Sequence, residues 1–267
     1  MFSFVQITDH HLLESEDMLV RGYAPAHAFR RVLRHIAEHR PDADFVVTTG
    51  DIANLGTEAE YRRLRDMLGL DEYSPAPGPQ RISTEGLRGK PMYFLPGNHD
   101  PRDVFFRAMF PASFADCMSE APAMNVSFTH KGVRFVCVDW GIENKAVSTD
   151  AMLDHLRCSL DGTPSIVLSH HNVTPAGMPR LDALVADDIG RFEDAIRDRN
   201  VLAIFNGHTH ATYESRIADV PVYGLRSTYF SFAQAGDEFC YVLRPPHYRM
   251  VTVDGTTVTS EVVEVVL

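Results

Sequence analysis

The sequence predicts an α/β fold, a four-layer α-β-β-α sandwich in which two mixed β-sheets are flanked by helices. Before His210, short apolar runs rich in β-branched and aromatic residues alternate with helix-like stretches, as in α/β proteins. After His210 the chain consists almost entirely of short strands, which favours a second sheet packed on the first. With 267 residues and 45% hydrophobic content, we expect a single domain spanning 1–267.

The elements of the alternating part follow from composition, length and capping signals. Buried strands are expected at 2–8, 45–49, 92–95, 166–169 and 201–205. Helices are expected at 24–38, 57–68, 101–109, 149–158 and 186–198. Thr57 with Glu60 forms a capping-box pattern, and Asp100 followed by Pro101 is typical of an N-cap with proline at the first helical position.

Two hairpins are indicated by turn residues between strand-like runs. Lys131-Gly132 separates 124–130 from 133–139, and Asp254-Gly255 separates 248–253 from 256–266. Further short strands are expected at 212–217, 220–224, 229–234 and 239–243.

The segment 71–90 has neither a helical nor a strand period. A loop of this length in a compact domain is more often functional than structural, and it leads directly into the predicted strand 92–95. We therefore expect a substrate-side loop at 71–90 that selects the alcohol portion of a small substrate. Its turn-forming residues are Pro75, Pro77, Gly78, Pro79, Gly86 and Gly89.

Charge and composition exclude several classes of partner. The net charge of -11 argues against duplex nucleic acid and anionic membranes, which require a basic surface. No apolar run approaches the ~20 residues that span a bilayer. A small anionic substrate can still bind where divalent ions make the site locally positive.

The expected location is the cytoplasm. The N-terminus lacks the basic region of a secretory signal, and cleavage there would remove Asp9 and His11. The cysteines are scattered without metal-ligand spacing, which is typical of free thiols in a reducing compartment. Whether the chain forms a homo-oligomer is left open by the sequence. The four cysteines are Cys117, Cys137, Cys158 and Cys240.

Five short motifs place oxygen or imidazole groups directly after predicted strands. Ligands of α/β proteins bind outside the carboxyl ends of the strands, where several loops converge. Each motif alone is a weak signal, but five in this position predict a metal site with two ions. The motifs are Asp9-His10-His11, Gly50-Asp51, Gly97-Asn98-His99-Asp100, Ser169-His170-His171 and Gly207-His208-Thr209-His210.

The candidate ligands combine carboxylate and amide oxygens with imidazole nitrogens. This mixture suits two divalent or mixed-valence ions of Mn, Fe or Zn better than Ca or Mg. Asp51 lies midway among the motifs, so it is the natural bridge between ions ~3.5–4 Å apart that activate water and clamp a phosphate. The seven candidates are Asp9, His11, Asp51, Asn98, His170, His208 and His210.

The motifs in this order resemble the calcineurin-like metallophosphoesterase superfamily, whose fold is the four-layer sandwich. The resemblance implies that Asp51 bridges two metals and that His99 faces the scissile phosphate without binding metal. In that role His99 would stabilise the transition state or protonate the leaving oxygen. The same resemblance implies that one metal is bound by Asp9, His11 and His210, and the other by Asn98, His170 and His208.

A narrower resemblance is to bacterial class III cyclic-nucleotide and glycerophosphodiester phosphodiesterases. It rests on the run that begins at Asp51, the paired histidines, and Ser227-Thr228. The chain departs from this pattern at Asn172, where a proline is usual, and in the length of 71–90. Both departures concern the expected substrate mouth.

Three further residues are candidates for the substrate side. His10 lies between two ligands and, by the period of two along an extended chain, either lines the pocket or faces away from it. His171 and Asn172 follow the ligand His170. All three are therefore candidates that the sequence leaves open.

The function expected from these observations is hydrolysis of a small phosphodiester, of cyclic-nucleotide or glycerophosphodiester type, by attack of a metal-bound hydroxide. The alternatives are a phosphomonoesterase or nucleotide pyrophosphatase that uses the same site. A non-catalytic binding scaffold would be expected to lack ligands, whereas here every ligand position is filled.

Overall fold

The computed structural model describes residues 1–70, 78–110, 123–236 and 238–266. The strands of the first half are β1 (Phe2–Ile7), β2 (Phe45–Thr49), β3 (Gln80–Arg81), β4 (Pro91–Leu95), β5 (Val126–His130), β6 (Val133–Val138) and β7 (Ser165–Ser169). Those of the second half are β8 (Val201–Asn206), β9 (Tyr213–Ile217), β10 (Val220–Gly224), β11 (Phe230–Ala235), β12 (Glu238–Leu243), β13 (His247–Asp254) and β14 (Thr257–Glu264). The helices are α1 (Pro25–His39), α2 (Glu58–Leu68), α3 (Arg102–Met109), α4 (Asp150–Ser159), α5 (Pro179–Asp182) and α6 (Ile189–Ile196).

Two mixed six-stranded sheets form the centre of the molecule. The first has the order β14-β13-β1-β2-β4-β3, and the second has the order β5-β6-β7-β8-β10-β9. The inner strands β1, β2 and β4 run parallel, as do β6, β7, β8 and β10. The carboxyl ends of the parallel strands in each sheet therefore lie at one edge of that sheet.

Three apolar cores confirm the predicted four-layer sandwich. Phe4 stacks on Phe45 with ring centroids 5.1 Å apart and packs edge-on against Phe135 and Phe205 of the second sheet, so one core lies between the sheets. A second core joins the first sheet to α1, α2 and α3. The third joins the second sheet to α4 and α6.

Most predicted elements are confirmed within a few residues, including both predicted hairpins. The capping box at Thr57 and Glu60 is confirmed, because each side chain accepts a hydrogen bond from the other residue's backbone N–H. The N-cap prediction at Asp100 is wrong. Helix α3 begins after Pro101, and the Asp100 carboxylate instead accepts from backbone N–H groups of two loops.

The sequence favours a single second sheet formed by the strands after His210. In the structure these strands are instead distributed over three sheets. Strands β9 and β10 extend the second sheet, and β13 and β14 join the first. Strands β11 and β12 pair only with each other in a separate two-stranded sheet. This hairpin covers the site described below.

The described part of the 71–90 segment contradicts its expected substrate-side position. Gln80 pairs with Met92 at the amino end of β4, whereas the site lies beyond the carboxyl end. Ile82 and Leu87 are buried in the core with α1 and α2, so residues 78–90 fold as a packed connection. Residues 71–77 lie outside the described residues. Among the described residues, no helix is both long enough and apolar enough to cross a membrane.

Candidate metal centre

The five motifs meet where strands β1, β2, β4, β7 and β8 end. Two groups of buried side chains form there, and Asp51 belongs to both. In each group the candidate ligand atoms lie within 4.8 Å of one another. The groups are Asp9, His11, Asp51 and His210, and Asp51, His170 and His208.

The first group surrounds a narrow gap. His210 Nε2 lies 3.1 Å from Asp9 Oδ1 and 3.2 Å from His11 Nε2. His11 Nε2 lies 3.6 Å from Asp51 Oδ2. Two imidazole nitrogens at this distance repel each other unless a proton or a cation lies between them. The arrangement therefore fits a cation.

The second group includes an amide oxygen. His170 Nε2 lies 3.3 Å from Asp51 Oδ1 and 3.0 Å from Asn98 Oδ1. His170 Nδ1 donates a hydrogen bond to the carbonyl oxygen of Thr49 at 2.8 Å. In a neutral imidazole this leaves the Nε2 lone pair free for a metal.

The protein alone already separates charge in this cluster. Burial tends to raise the pKa of Asp9, but the neighbouring His210 outweighs it and lowers the pKa to about 2. Burial likewise opposes ionisation of Asp51, yet His170 and His11 hold its pKa well below the usual value. Burial lowers the pKa of His11 to about 3. Burial opposes the charge on His170, but Asp51 outweighs it and raises the pKa of that ring to about 9. The cluster thus combines ionised carboxylates with a neutral His11 ring, and a metal ion would have to displace the proton of His170.

A buried nitrogen atom without a partner also fits metal binding. Within the described part of the chain, His208 Nε2 is buried and has no hydrogen-bond partner. Buried polar groups are normally satisfied. The mixture of carboxylate, amide and imidazole ligands fits a borderline ion such as Mn, Fe or Zn.

Backbone strain is concentrated at the candidate ligands. Non-glycine residues rarely adopt positive φ, because the left-handed region crowds Cβ. Five candidate ligands do so here, which aims their side chains into the shared gap and is typical of strain stored at a functional site. They are Asp9 (φ 52), His11 (φ 46), Asp51 (φ 49), His208 (φ 68) and His210 (φ 47).

Close backbone approach explains the glycine of the third motif. A Cβ at Gly97 would collide with the Oδ1 and backbone N of Asp51. The loop that carries Asn98 and His99 can therefore lie against Asp51 only if position 97 is glycine.

Asp100 joins two of the ligand loops. Its carboxylate accepts hydrogen bonds from the backbone N–H groups of Ile52 and Ala53, each at 3.1 Å, and of Gly97 at 2.7 Å. The hydroxyl of Tyr61 donates a fourth bond at 2.8 Å. The loop after β2 and the loop after β4 are thereby held in one geometry.

The side chains of Asn98 and His99 are oriented by neighbours. Asn98 Nδ2 donates to Asn144 Oδ1 at 3.1 Å, which leaves Asn98 Oδ1 facing His170. His99 is exposed, and its Nδ1 donates to the carbonyl oxygen of Asn54 at 2.7 Å. The Nε2 of His99 remains available to a substrate.

The three residues considered for the substrate side are all buried away from the open cavity. His10 lies under α1, with Nε2 3.0 Å from Thr48 Oγ1 and its ring 4.5 Å from that of Phe29. Period-two alternation turns it away from its two neighbours, which are candidate ligands. The ring of His171 packs 4.6 Å from that of His208, and its Nε2 donates to the carbonyl oxygen of Glu143.

Asn172 is also buried, and its Nδ2 donates to the carbonyl oxygen of Thr174 at 3.0 Å. The substrate-side expectation for His10, His171 and Asn172 is corrected accordingly. These side chains support the loops and do not line the cavity.

A cavity of about 440 Å³ opens over the two groups. Sequence reasoning missed most of its walls, because they come from segments outside the motifs. The alternation of aromatic residues in β11 and β12 was the one available signal. The missed lining residues are Val20, Arg21, Asn144, Arg180, Leu181, Leu184, Tyr229, Phe230, Phe232, Phe239 and Tyr241.

Comparison with known proteins gives the same assignment as the motifs. The model of the calcineurin-like phosphoesterase family matches residues 2–212. A 3',5'-cyclic-nucleotide phosphodiesterase of Nostoc sp. is 24% identical over 97% of this chain and 91% of its own length. A glycerophosphodiester phosphodiesterase of Enterobacter lignolyticus is 25% identical over 79% of this chain and 69% of its own length.

Among solved structures, purple acid phosphatase PPD1 from yellow lupin superposes with a TM-score of 0.60 at 14% identity, covering 99% of this chain and 51% of that one. At this identity the likeness supports the fold alone. The family match extends over all five motifs. The chain therefore belongs to the calcineurin-like phosphoesterase family, a family of hydrolases that act on phosphoesters.

Proposed function

We propose that the protein is a phosphodiesterase that uses two metal ions held on either side of Asp51. The observation that carries the proposal is that Asp51 belongs to both ligand groups, with one carboxylate oxygen near His11 and the other near His170. A carboxylate shared in this way would hold two ions close enough together to act on one phosphate. The proposed ligands are Asp9, His11, Asp51 and His210 for one ion, and Asp51, Asn98, His170 and His208 for the other.

When bound, the two ions would supply an activated water and the positive charge that stabilises the phosphorus transition state. The protein residues hold the ligand geometry through the Asp100 and Asn144 hydrogen bonds. His99 is the proposed catalytic residue on the substrate side. Its exposed ring stands beside the cluster, 4.8 Å from the ring of His11. With a proton on each ring nitrogen, its Nδ1–H is held by the carbonyl oxygen of Asn54 and its Nε2–H can donate to the leaving oxygen.

A small diester is the substrate class that the cavity and the relatives support. The cavity is large enough for one small ligand, and Arg21 and Arg180 add positive charge to its lining. Relatives named for cyclic nucleotides and for glycerophosphodiesters both align along most of this chain. We therefore propose a diester of one of these two types. Cytoplasmic location and the single-domain organisation stay predictions.

The test compares phosphodiesters, a phosphomonoester and a pyrophosphate as substrates at matched metal concentration. The substrates are bis(4-nitrophenyl) phosphate with 3',5'-cyclic AMP, 4-nitrophenyl phosphate, and a dinucleotide pyrophosphate. We expect the diesters to have the highest kcat/KM. A preference for the monoester or the pyrophosphate would replace the proposal by a phosphomonoesterase or pyrophosphatase. Absence of hydrolysis with Mn, Fe and Zn would favour a non-catalytic scaffold.

A further inference from the structure

The hairpin β11–β12 presents two different faces. Phe232 pairs with Tyr241 and Gln234 with Phe239, and side chains at every second position share a face. Phe232, Phe239 and Tyr241 consequently lie on the face that lines the cavity. The opposite face carries small or less bulky residues, Ser231, Ala233, Cys240 and Val242.

The aromatic face continues outward from the metal centre. The ring of His210 lies 4.7 Å from that of Phe232, whose ring is in turn 4.9 Å from Phe239 and 5.1 Å from Tyr241. Phe239 and Tyr241 touch no candidate ligand in any described ring contact. The outer part of this wall is therefore free to contact the alcohol portion of a substrate whose phosphate lies over the ligands.

The charges at this wall match an anionic ligand. The guanidinium of Arg180 lies 4.9 Å from the centre of the Phe239 ring, and that of Arg21 lies 3.3 Å from the centre of the Tyr241 ring. Neither arginine has an ion-pair partner in the part of the chain that the structure describes. Asp51 is the only carboxylate among the described residues that line the cavity.

We infer that the aromatic face of the β11–β12 hairpin selects diesters whose alcohol carries a planar ring, with Phe239 as the main specificity-determining residue. Aromatic rings stack on planar rings and gain little from a flexible aliphatic alcohol such as glycerol. Arg21 and Arg180 attract the phosphate and do not discriminate between the alcohols. The inference rests on the proposed function, since it concerns the substrate class of the same site.

A binding experiment tests the inference without requiring turnover. Isothermal titration calorimetry of the full chain in EDTA would compare adenosine 5'-monophosphate with ribose 5-phosphate, which differ only by the base. We expect adenosine 5'-monophosphate to bind more tightly, and Phe239→Leu to reduce that preference roughly tenfold to hundredfold. Phe239→Tyr keeps a ring and should retain the preference. Cys240→Ser, on the opposite face of the hairpin, is the matched control.

Arg180→Met should weaken both ligands by the same factor, because it removes charge that both phosphates meet. Loss confined to adenosine 5'-monophosphate would contradict this division of roles.

Kinetics of the metal-loaded protein give the second readout. The ratio of kcat/KM for 3',5'-cyclic AMP to that for glycerophosphoethanolamine should fall at least tenfold in Phe239→Leu and stay constant in Phe239→Tyr and Cys240→Ser. Equal binding of the two monophosphates by the wild-type protein would overturn the inference, as would an unchanged ratio in Phe239→Leu. Failure of the wild-type protein to hydrolyse any diester would overturn the proposed function, while the binding comparison would still test the hairpin.

Discussion

Asn98 faces the second ligand group with its carboxamide oxygen because Asn144 accepts a hydrogen bond from its nitrogen. Residues that orient a metal ligand commonly affect metal affinity ~10–100-fold. We expect Asn144→Ala to weaken one of two metal-binding steps by about that factor and to leave the other unchanged. Asn144→Asp keeps the acceptor oxygen and should restore affinity. Titration with Mn²⁺ by calorimetry distinguishes these outcomes, and identical isotherms for all three proteins would remove Asn144 from this role.

His99 is expected to act on the substrate and not on the ions. His99→Ala should retain its metal content, measured by elemental analysis, because no candidate ligand depends on that ring. Removal of a positioned proton donor typically lowers the rate ~10²–10⁴-fold. The loss should be large for a diester with an alkyl leaving group and much smaller for bis(4-nitrophenyl) phosphate, whose leaving group needs little protonation. Equal losses for both would refute a general-acid role, and loss of metal would make His99 a ligand.

At the scale of elements, a buried ion pair attaches α3 to Asp139, the residue that follows β6. Arg102 Nε donates to Asp139 Oδ2 at 2.7 Å, and Arg102 also donates to the carbonyl oxygens of Gly97 and Asp100. Breaking a buried pair from one side typically destabilises a protein by roughly 3–5 kcal/mol. Arg102→Met should therefore lower the free energy of unfolding in urea by about that amount. The exposed pair Arg197–Glu193 supplies the control, and Arg197→Met should leave the urea midpoint unchanged.

The same ion pair gives a pH dependence with a defined sign. Burial tends to raise the pKa of Asp139, but the hydrogen bonds and charge of Arg102 outweigh it and hold that pKa below 3.8. Because the folded-state pKa is depressed, the stabilisation is present above the unfolded-state pKa of ~3.9 and is lost as the pH falls through the folded-state value. The stability difference between the wild-type protein and Asp139→Asn should therefore be constant from pH 7 to pH 5 and shrink below pH 4. A difference that instead grew below pH 4 would contradict this ion pairing.

The elements also show what the sequence could and could not predict. Thr57 and Glu60 form a local pattern, so their capping box was predictable. The hydrogen-bond partners of Asp100 were not predictable from the local cap pattern before Pro101. Its carboxylate accepts instead from the backbone N–H groups of Ile52 and Ala53, which are distant in sequence. The packing of Leu87 under α1 likewise depends on contacts distant in sequence.

At the scale of the molecule, both sheets contribute candidate ligands, so metal binding should stabilise the whole fold. An ion at a free concentration 100 times its Kd raises the free energy of unfolding by about 2.7 kcal/mol for each site. For a chain of this size, that increase raises Tm by roughly 5–10 °C for each site. We expect Mn²⁺ to raise the Tm of the metal-free protein by that order in differential scanning calorimetry. Asp51→Asn should show a smaller rise, and an equal rise in both proteins would place the ions elsewhere.

The ligand motifs were predictable at this scale because each follows a strand, and strand ends at one edge of a sheet converge. The cavity walls were not predictable from the sequence, because Arg21, Asn144 and Phe239 come from separate segments that meet only in the folded chain. Substrate selectivity, which we propose depends on those walls, is accordingly the part of the function that needed the structure.

The central claim is that two metal ions lie on either side of Asp51. Anomalous difference maps from crystals grown with Mn²⁺ test it directly. We predict two peaks ~3.5–4 Å apart, one between Asp51 and His11 and the other between Asp51 and His170. A single peak, or two peaks that do not share Asp51, would contradict the account.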